Sequence, residues 1–210
     1  MVIDKKCKKC RRAGEKLFLK GDKCSTPKCT LIKRPFAPGK SQASSRMRKN
    51  ITEYGLQLKE KQKLRNTYGL REKQFAKYIK KAVDKKGVNP SEELYKNLET
   101  RLDNVIFRFG LAPSRAMARQ LVSHGHMLIN GKKTTIPSHV VKIGDVIRIK
   151  DTTKSKPVFA NLEQKTKNHT LPSWLKFDYA KGEGVIDGMP KNEAGDMPFN
   201  LTLVLEFYSR

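Results

Sequence analysis

Four cysteines, Cys7, Cys10, Cys24 and Cys29, lie within the first 29 residues of a 210-residue chain. Scattered placement would cluster them this tightly less than about one time in a thousand. The spacing is CxxC, thirteen intervening residues, then CxxxxC. Two thiolates three residues apart reach one ion from a tight turn, and a second pair completes a tetrahedron. Four protein ligands leave no open position for a reacting water, so the expected site is structural, with one zinc ion. An iron–sulfur cluster uses the same thiolate set and is the less expected alternative; four unliganded thiols are the plainer one.

The second chemistry the residues offer is cationic. The chain carries 45 Lys+Arg against 20 Asp+Glu, a formal charge of +25. Self-repulsion of that size opposes compaction unless a polyanion neutralises it, and nucleic acid or an acidic membrane face are the polyanions at hand. No apolar run approaches the roughly 18 to 20 residues that span a bilayer. The N-terminus has no secretory pattern, so the chain is expected in the cytoplasm. The charge is also polarised. Residues 1–90 hold 27 Lys+Arg and 7 Asp+Glu, and residues 91–210 hold 18 and 13.

The elements that must position these groups follow from periodicity. Residues 1–30 form the cysteine knuckle, and residues 31–50, with Pro35, Pro38, Gly39 and a polar serine run, read as an extended basic connector. Residues 51–90 read as a basic helical domain. Thr52 is its N-cap, Leu56 and Leu64 recur at near-helical spacing, and Lys59, Lys61, Lys63 and Arg65 spread over the remaining surface. In its second helix Phe75, Tyr78, Ile79, Ala82 and Val83 share a face that Lys73, Lys77, Lys80 and Lys81 mostly avoid. Residues 91–210 form a third region with its core at 99–150 and C-terminal strands able to pack back on the helical domain. There a long helix steps through Leu94, Leu98, Leu102, Val105 and Phe109 to Gly110, and a short one starts at Pro113-Ser114. The strand Met127–Ile129, an Asn130-Gly131 hairpin turn and a return over Lys132 to Ile136 follow. Val140-Val141, Val146 to Ile149, Leu175 to Asp178 and Leu201 to Tyr208 read as further strands. The fold class is α+β: a cysteine knuckle, a basic helical domain, and a module of two helices followed by strands.

Within that module Arg115 and Arg119 lie four residues apart, opposite a Met117/Leu121 stripe, with Ser123 and His124 one turn further. Arginine brings planar, multidentate donors suited to phosphate, and Gln120, Ser123 and Asn130 can hydrogen-bond ribose and base edges. Lys132 and Lys133 add cations beside the helix end. A solvated helix face is the bland alternative.

With these blocks in view, the sequence resembles the bacterial small-subunit ribosomal protein S4 family in its zinc-binding form. The resemblance rests on the four cysteines, Arg11-Arg12-Ala-Gly-Glu15, Tyr54-Gly55, Tyr68-Gly69, Arg71, Gln74-Phe75, Arg101-Leu-Asp103, Arg119-Gln-Leu-Val122, His124 to His126, Asn130-Gly131 and Glu206-Phe-Tyr-Ser-Arg210. It implies an N-terminal metal knuckle, a basic helical domain and an α/β RNA-binding module of two helices plus an antiparallel sheet, in a structural constituent of the small ribosomal subunit that binds rRNA early, nucleates the subunit body, touches ribosomal protein S5, and bears on the mRNA entry channel and decoding accuracy. Arg115, Arg119, Gln120, Ser123, His124, His126, Asn130 and Lys132 match its RNA-binding module. Arg46, Arg48 and Lys49 lie where relatives approach mRNA. Arg11, Arg12, Lys59, Lys61, Lys63, Arg65, Arg71 and Lys133 complete the cations expected to meet RNA.

Two rival functions remain. Arg101-Leu102-Asp103 superficially matches the catalytic Arg-Leu-Asp of pseudouridine synthases, but only about 60 residues follow residue 150, too few for their catalytic domain. Asp103 is therefore expected to be a helix-surface or salt-bridging residue. The four histidines have no zincin spacing, and neither GxxxxGK[ST] nor GxSxG occurs. No enzyme is expected. A free RNA-binding translational regulator would use the same surface.

Overall fold

The computed structural model describes residues 5–39, 51–154, 156, 159, 169–191 and 198–209. The expected connector therefore lies mostly outside the described residues, Arg46, Arg48 and Lys49 with it. The chain divides into two compact units. One comprises residues 1–91 and 193–210, the other residues 92–192.

The first unit opens with helix α1 (Lys6–Ala13), a 3-10 turn (Gly21–Cys24) and the short helix α2 (Thr30–Lys33). Helix α3 (Glu53–Thr67) starts where expected, because the Thr52 hydroxyl accepts from the Gly55 amide and satisfies one orphan N–H. Helix α4 (Glu72–Asp84) buries Phe75, Ile79 and Ala82, spaced to form one stripe; Val83, expected on that stripe, is exposed. Ala82 and Ile79 already fill the contact, and Val83 lies one step round the helix from them.

The second unit begins within helix α5 (Pro90–Glu99), continues as α6 (Leu102–Arg108) and α7 (Arg115–Ser123), and adds β1 (Met127–Ile129), β2 (Lys132–Lys133), β3 (Val146–Ile149), the short helix α8 (Asp151–Lys154), β4 (Leu175–Asp178) and β5 (Glu183–Ile186). The strands form an antiparallel sheet in the order β2-β1-β3-β5-β4. Its inner face and helices α6 and α7 enclose a core that includes Leu102, Ile106, Phe109, Val122, Met127, Ile147, Ile149 and Ile186. Ser114 caps α7 by accepting from the Met117 amide. Asn130 and Gly131 both adopt positive φ, 49° and 79°, as a two-residue hairpin of type I′ demands. The Asn130 side chain donates to Asp145 and accepts from the Val146 amide, tying the hairpin tip to the next turn.

Several sequence expectations are corrected. The long helix through Phe109 breaks at Arg101, whose backbone is extended and bridges to Val140. The Leu102 and Asp103 amides donate to the carbonyls of His139 and Pro137, and these tertiary bonds replace helical ones. Val140-Val141 contributes only that bridge, and the hairpin return ends at Lys133. Strand β5, unsignalled because Gly182 and Gly184 interrupt a short run, lies inside the sheet between β3 and the edge strand β4. Residues 201–208 are not a strand but part of helix α9 (Leu201–Ser209). The alternating apolar run suggested period two, yet Asn200 accepts from the Leu203 amide at the helix start, and Leu201 and Val204 are buried on one face. Helix α9 packs along α3 in the first unit rather than extending the sheet.

Gly184 shows how closely the second core is filled. A Cβ there would sit 2.5 Å from the Phe109 ring and 2.6 Å from the Phe177 ring, which stack with centroids 4.9 Å apart. Gly184→Ala is expected to destabilise this unit by about 1–3 kcal/mol through overpacking. Denaturant unfolding checks this; an unchanged midpoint would mean the rings move aside freely.

Candidate nucleic-acid interface

In the second unit the first residues to place are the arginines of α6 and α7. Arg101 is fully buried and grips Asp103 with both arms, Nε to Oδ1 at 3.0 Å and Nη2 to Oδ2 at 2.7 Å. Arg119 adds Nε and Nη2 contacts to the same Oδ2, both at 3.1 Å. Arg108 forks onto the fully buried Glu99 at 2.8 and 3.0 Å. Arg115 approaches Glu99 at 4.0 Å, donates to Asn104 at 2.8 Å and lies 4.4 Å over the Phe107 ring. Four guanidinium groups thus converge on two buried carboxylates. Arg115 and Arg119, read from sequence as open donors, are largely turned inward, with 18% and 24% of their side chains exposed. The physical reason is distance in sequence. Their acids lie on α5 and α6, and only the α6–α7 packing brings them within reach.

What remains open is the far end of α7 and the hairpin. Gln120, Ser123, His124, Lys132 and Lys133 are exposed, and His126 is half-buried. The Ser123 hydroxyl donates to the Arg119 carbonyl. The His124 and His126 rings lie 6.0 Å apart. Burial, then the charges of Lys156, His124, Lys133 and Lys150, hold the His126 imidazole below its usual range. His126 is therefore neutral near pH 7 and acts as a flat polar ring within a cluster of ammonium groups, able to stack and hydrogen-bond. Lys150 and Lys156 belong to that cluster and were not singled out from sequence, because they reach it only through β3 and α8. Asn130 is committed to the hairpin by the bonds described above.

Helix α3 changes the reading of its cations. Lys61 and Lys63 are buried, not surface residues. Lys61 pairs with Glu72 at 2.7 Å and sits over the Phe207 and Tyr208 rings. Lys63 bonds Glu15 at 2.6 Å and Glu60 at 2.7 Å. Arg65 pairs with Glu72 and Gln62. Burial pushes the Glu72 carboxyl up, but hydrogen bonds from Lys61 and Tyr208 and the charges of Lys61 and Arg65 outweigh it and hold the group below the usual range. These cations hold the first unit together. Lys59 is half-buried and Arg71 exposed. Arg11 donates to the carbonyls of Arg34 and Phe36, and Arg12 to that of Pro38, so both strap the segment after α2 to α1.

Cys7 and Cys10 sit one turn apart on α1, Cys24 ends the 3-10 turn, and Cys29 precedes α2. Cys10, Cys24 and Cys29 are buried and Cys7 half-buried. Burial raises the Cys10 thiol, and Cys24, Cys7 and Cys29 each push it the same way, so the other three thiols are its electrostatic neighbours. A hydrogen bond from Thr30, aided by Lys20 and Lys23, lowers Cys7 despite its partial burial. The donor chemistry suits a soft dication. Among the described residues, no three His, Cys, Asp or Glu side chains are grouped as ligands of one ion.

Comparison with known families agrees with this geometry. Residues 2–99 match the ribosomal protein S4/S9 N-terminal domain, and residues 100–147 match the S4 domain. The chain is 46% identical over 204 residues to small ribosomal subunit protein uS4 of Acetivibrio thermocellus, covering 97% of this chain and 96% of that protein. It is 47% identical over 207 residues to uS4A of Alkaliphilus metalliredigens, covering 99% and 98%. Against uS4 of Kosmotoga olearia it is 45% identical over 204 residues, covering 97% and 96%. The chain belongs to the ribosomal protein uS4 family. As a uS4 family member it is a structural component of the ribosome and not an enzyme. Asp103 fits that conclusion. It is a salt-bridging residue, though buried rather than on the helix surface, with 6% of its side chain exposed and two arginines on its oxygens.

Removing that carboxylate leaves Arg101 buried without its bidentate partner. Asp103→Ala is expected to cost about 3–5 kcal/mol of stability in the second unit. Urea unfolding followed by far-UV circular dichroism checks it; a loss under about 1 kcal/mol would show that the arginines find other acceptors.

Proposed function

We propose that this uS4 family member binds small-subunit rRNA directly and helps nucleate the subunit body, as a scaffold rather than a catalyst. The observation that carries the reading is 46–47% identity, over nearly the full length, to proteins named small ribosomal subunit protein uS4 and uS4A. The exposed donor array of Gln120, Ser123, His124, Lys132 and Lys133 around His126 gives it a chemistry. Capture is electrostatic, with ammonium groups displacing counterions from phosphates, and the flat ring and amide then test shape. The inward-facing arginines set the position of α7 and leave contact to its tip. Contact with ribosomal protein S5 and a place at the mRNA entry channel belong to the same proposal, resting on the resemblance alone.

The test is binding of the full chain to protein-free small-subunit rRNA across a salt series. Log K should fall linearly with log salt, and Lys132→Gln with Lys133→Gln should reduce the slope by about 1.4 to 1.8, at 0.7 to 0.9 per lost contact. A wild-type affinity indifferent to salt would remove the electrostatic mechanism. Cosedimentation with small subunits at high salt separates a resident component from a free regulator, which would wash off.

We also propose that Cys7, Cys10, Cys24 and Cys29 hold one structural zinc. What supports this is the four-thiol donor set, carried by α1, the 3-10 turn and the residue before α2. When bound, the ion would clamp α1 to the turns carrying Cys24 and Cys29. Elemental analysis of the purified protein should find one zinc per chain, lost in Cys24→Ser. Chelation should loosen residues 1–30 while the second unit stays folded. Iron in place of zinc, or no metal, would overturn the assignment.

A further inference from the structure

The apolar cluster of the cysteine knuckle is closed by a residue from far along the chain. Cys10, Ala13, Leu17 and Leu19 are buried together, and Phe199, half-buried just before helix α9, packs against them. Leu17 and Leu19 are buried on either side of Phe18, whose φ is 47° and whose ring is half exposed. A left-handed backbone is costly for an aromatic residue and persists only where its surroundings over-determine it. The same loop serves the four-thiol site, because the Leu17 amide donates to the Cys10 sulfur. Phe199 therefore packs on the loop that orients one of the four thiol ligands.

A polar route runs beside the apolar one. Glu15, just after α1, accepts from Lys63 of α3 at 2.6 Å, and Lys63 donates also to Glu60 at 2.7 Å. The other oxygen of Glu60 accepts from the Asn200 amide at 3.4 Å, and the Asn200 side chain accepts from the Leu203 amide to begin α9. Both residues before α9 thus connect to the knuckle, one by packing and one through Lys63. The far part of the helix is held independently, by Gln57 on Glu206 and by Glu72 on Tyr208. Four buried side chains are too small a core to hold a segment of roughly 30 residues, and small folds of this kind close only with a metal or an added contact. The contacts that orient a metal ligand tune its affinity about 10- to 100-fold. By linkage, whatever the contact gives the metal, the metal returns to the contact.

We propose that zinc binding at Cys7, Cys10, Cys24 and Cys29 and docking of the start of helix α9 are linked through Phe199, so that the C-terminal helix responds to whether the knuckle holds its metal. This rests on the zinc reading given above. Phe199 is a positioning residue: it is no ligand itself and acts through Leu17 and Cys10. With the metal bound, the loop over residues 14–19 is fixed and the surface that receives Phe199 is complete. With the metal removed, Cys10 loses its anchor, the loop relaxes, and α9 frays from its first turn while Gln57 and Glu72 keep its far end.

The experiment uses the full chain, loaded with zinc and then stripped by a chelator, and reads amide hydrogen exchange by mass spectrometry. In wild type, stripping should speed exchange over residues 200–205 about tenfold while α4 stays protected. In Phe199→Ala that dependence on zinc should vanish, and competition against a chromophoric chelator should show zinc held about tenfold more weakly, with most of the affinity restored in Phe199→Leu. Unchanged exchange over 200–205 in wild type that has bound and then lost zinc would overturn the linkage and leave the metal site standing, as would wild-type zinc affinity in Phe199→Ala. Faster exchange spread evenly over α3, α4 and α9 would show that the metal holds the whole first unit, and would overturn the route through Phe199. Wild type that takes up no zinc would overturn the metal reading and the linkage together. The wild-type comparison needs no variant, and decides the case if Phe199→Ala does not fold.

Discussion

In a chain with a formal charge of +25, three carboxylates each restrain more than one cation. Asp103 holds Arg101 and Arg119, Glu99 holds Arg108 with Arg115 beside it, and Glu72 holds Lys61 and Arg65 while accepting from Tyr208. Charges taken out of water carry a desolvation penalty that is offset only when geometry is good and every remaining donor finds an acceptor. The bidentate Arg101 and Arg108 contacts meet that demand. The two units therefore combine shared acids with apolar burial.

Sharing also sorts the cations by task. Those held by an acid, Lys61, Lys63, Arg65, Arg101, Arg108, Arg115 and Arg119, keep elements together. Those at the tip of α7, on the hairpin and along the outer face of α4 are left to solvent. Charge density alone does not distinguish the two groups, and a lysine two residues from another can have the opposite role. A polyanion would complete the balance that the protein leaves open on these faces, the usual logic of a protein that folds first and docks on nucleic acid second.

The same rule governs how the termini are held. In the first unit Lys63 ties the segment after α1 to α3 through Glu15, and Lys9 donates to Asn66 on the same helix. From the other end of the sequence, Gln57 on α3 donates to Glu206 on α9, and Glu60 accepts from the Asn200 amide. Helix α3 is thus covered by segments from both ends of the chain. This explains why its buried face is polar, and why a search for an apolar stripe finds only Leu64 fully enclosed there.

Local signals were enough for features whose cause is local. The Thr52 and Ser114 caps, the Phe75/Ile79/Ala82 stripe, the Asn130-Gly131 turn and the clustering of four cysteines depend on residues within a few positions of each other, so the amino-acid order alone determined them. The family blocks were equally legible, because they record types and spacings. Tertiary structure decided whatever depends on a partner far along the chain. It broke the helix at Arg101 by giving its neighbours other hydrogen-bond acceptors, turned residues 201–209 into a helix by giving Leu201 and Val204 a place to pack, and drew Arg115 and Arg119 inward onto acids from α5 and α6. A side chain's charge is written in its identity; whether that charge faces solvent or a buried carboxylate depends on which distant element folds over it.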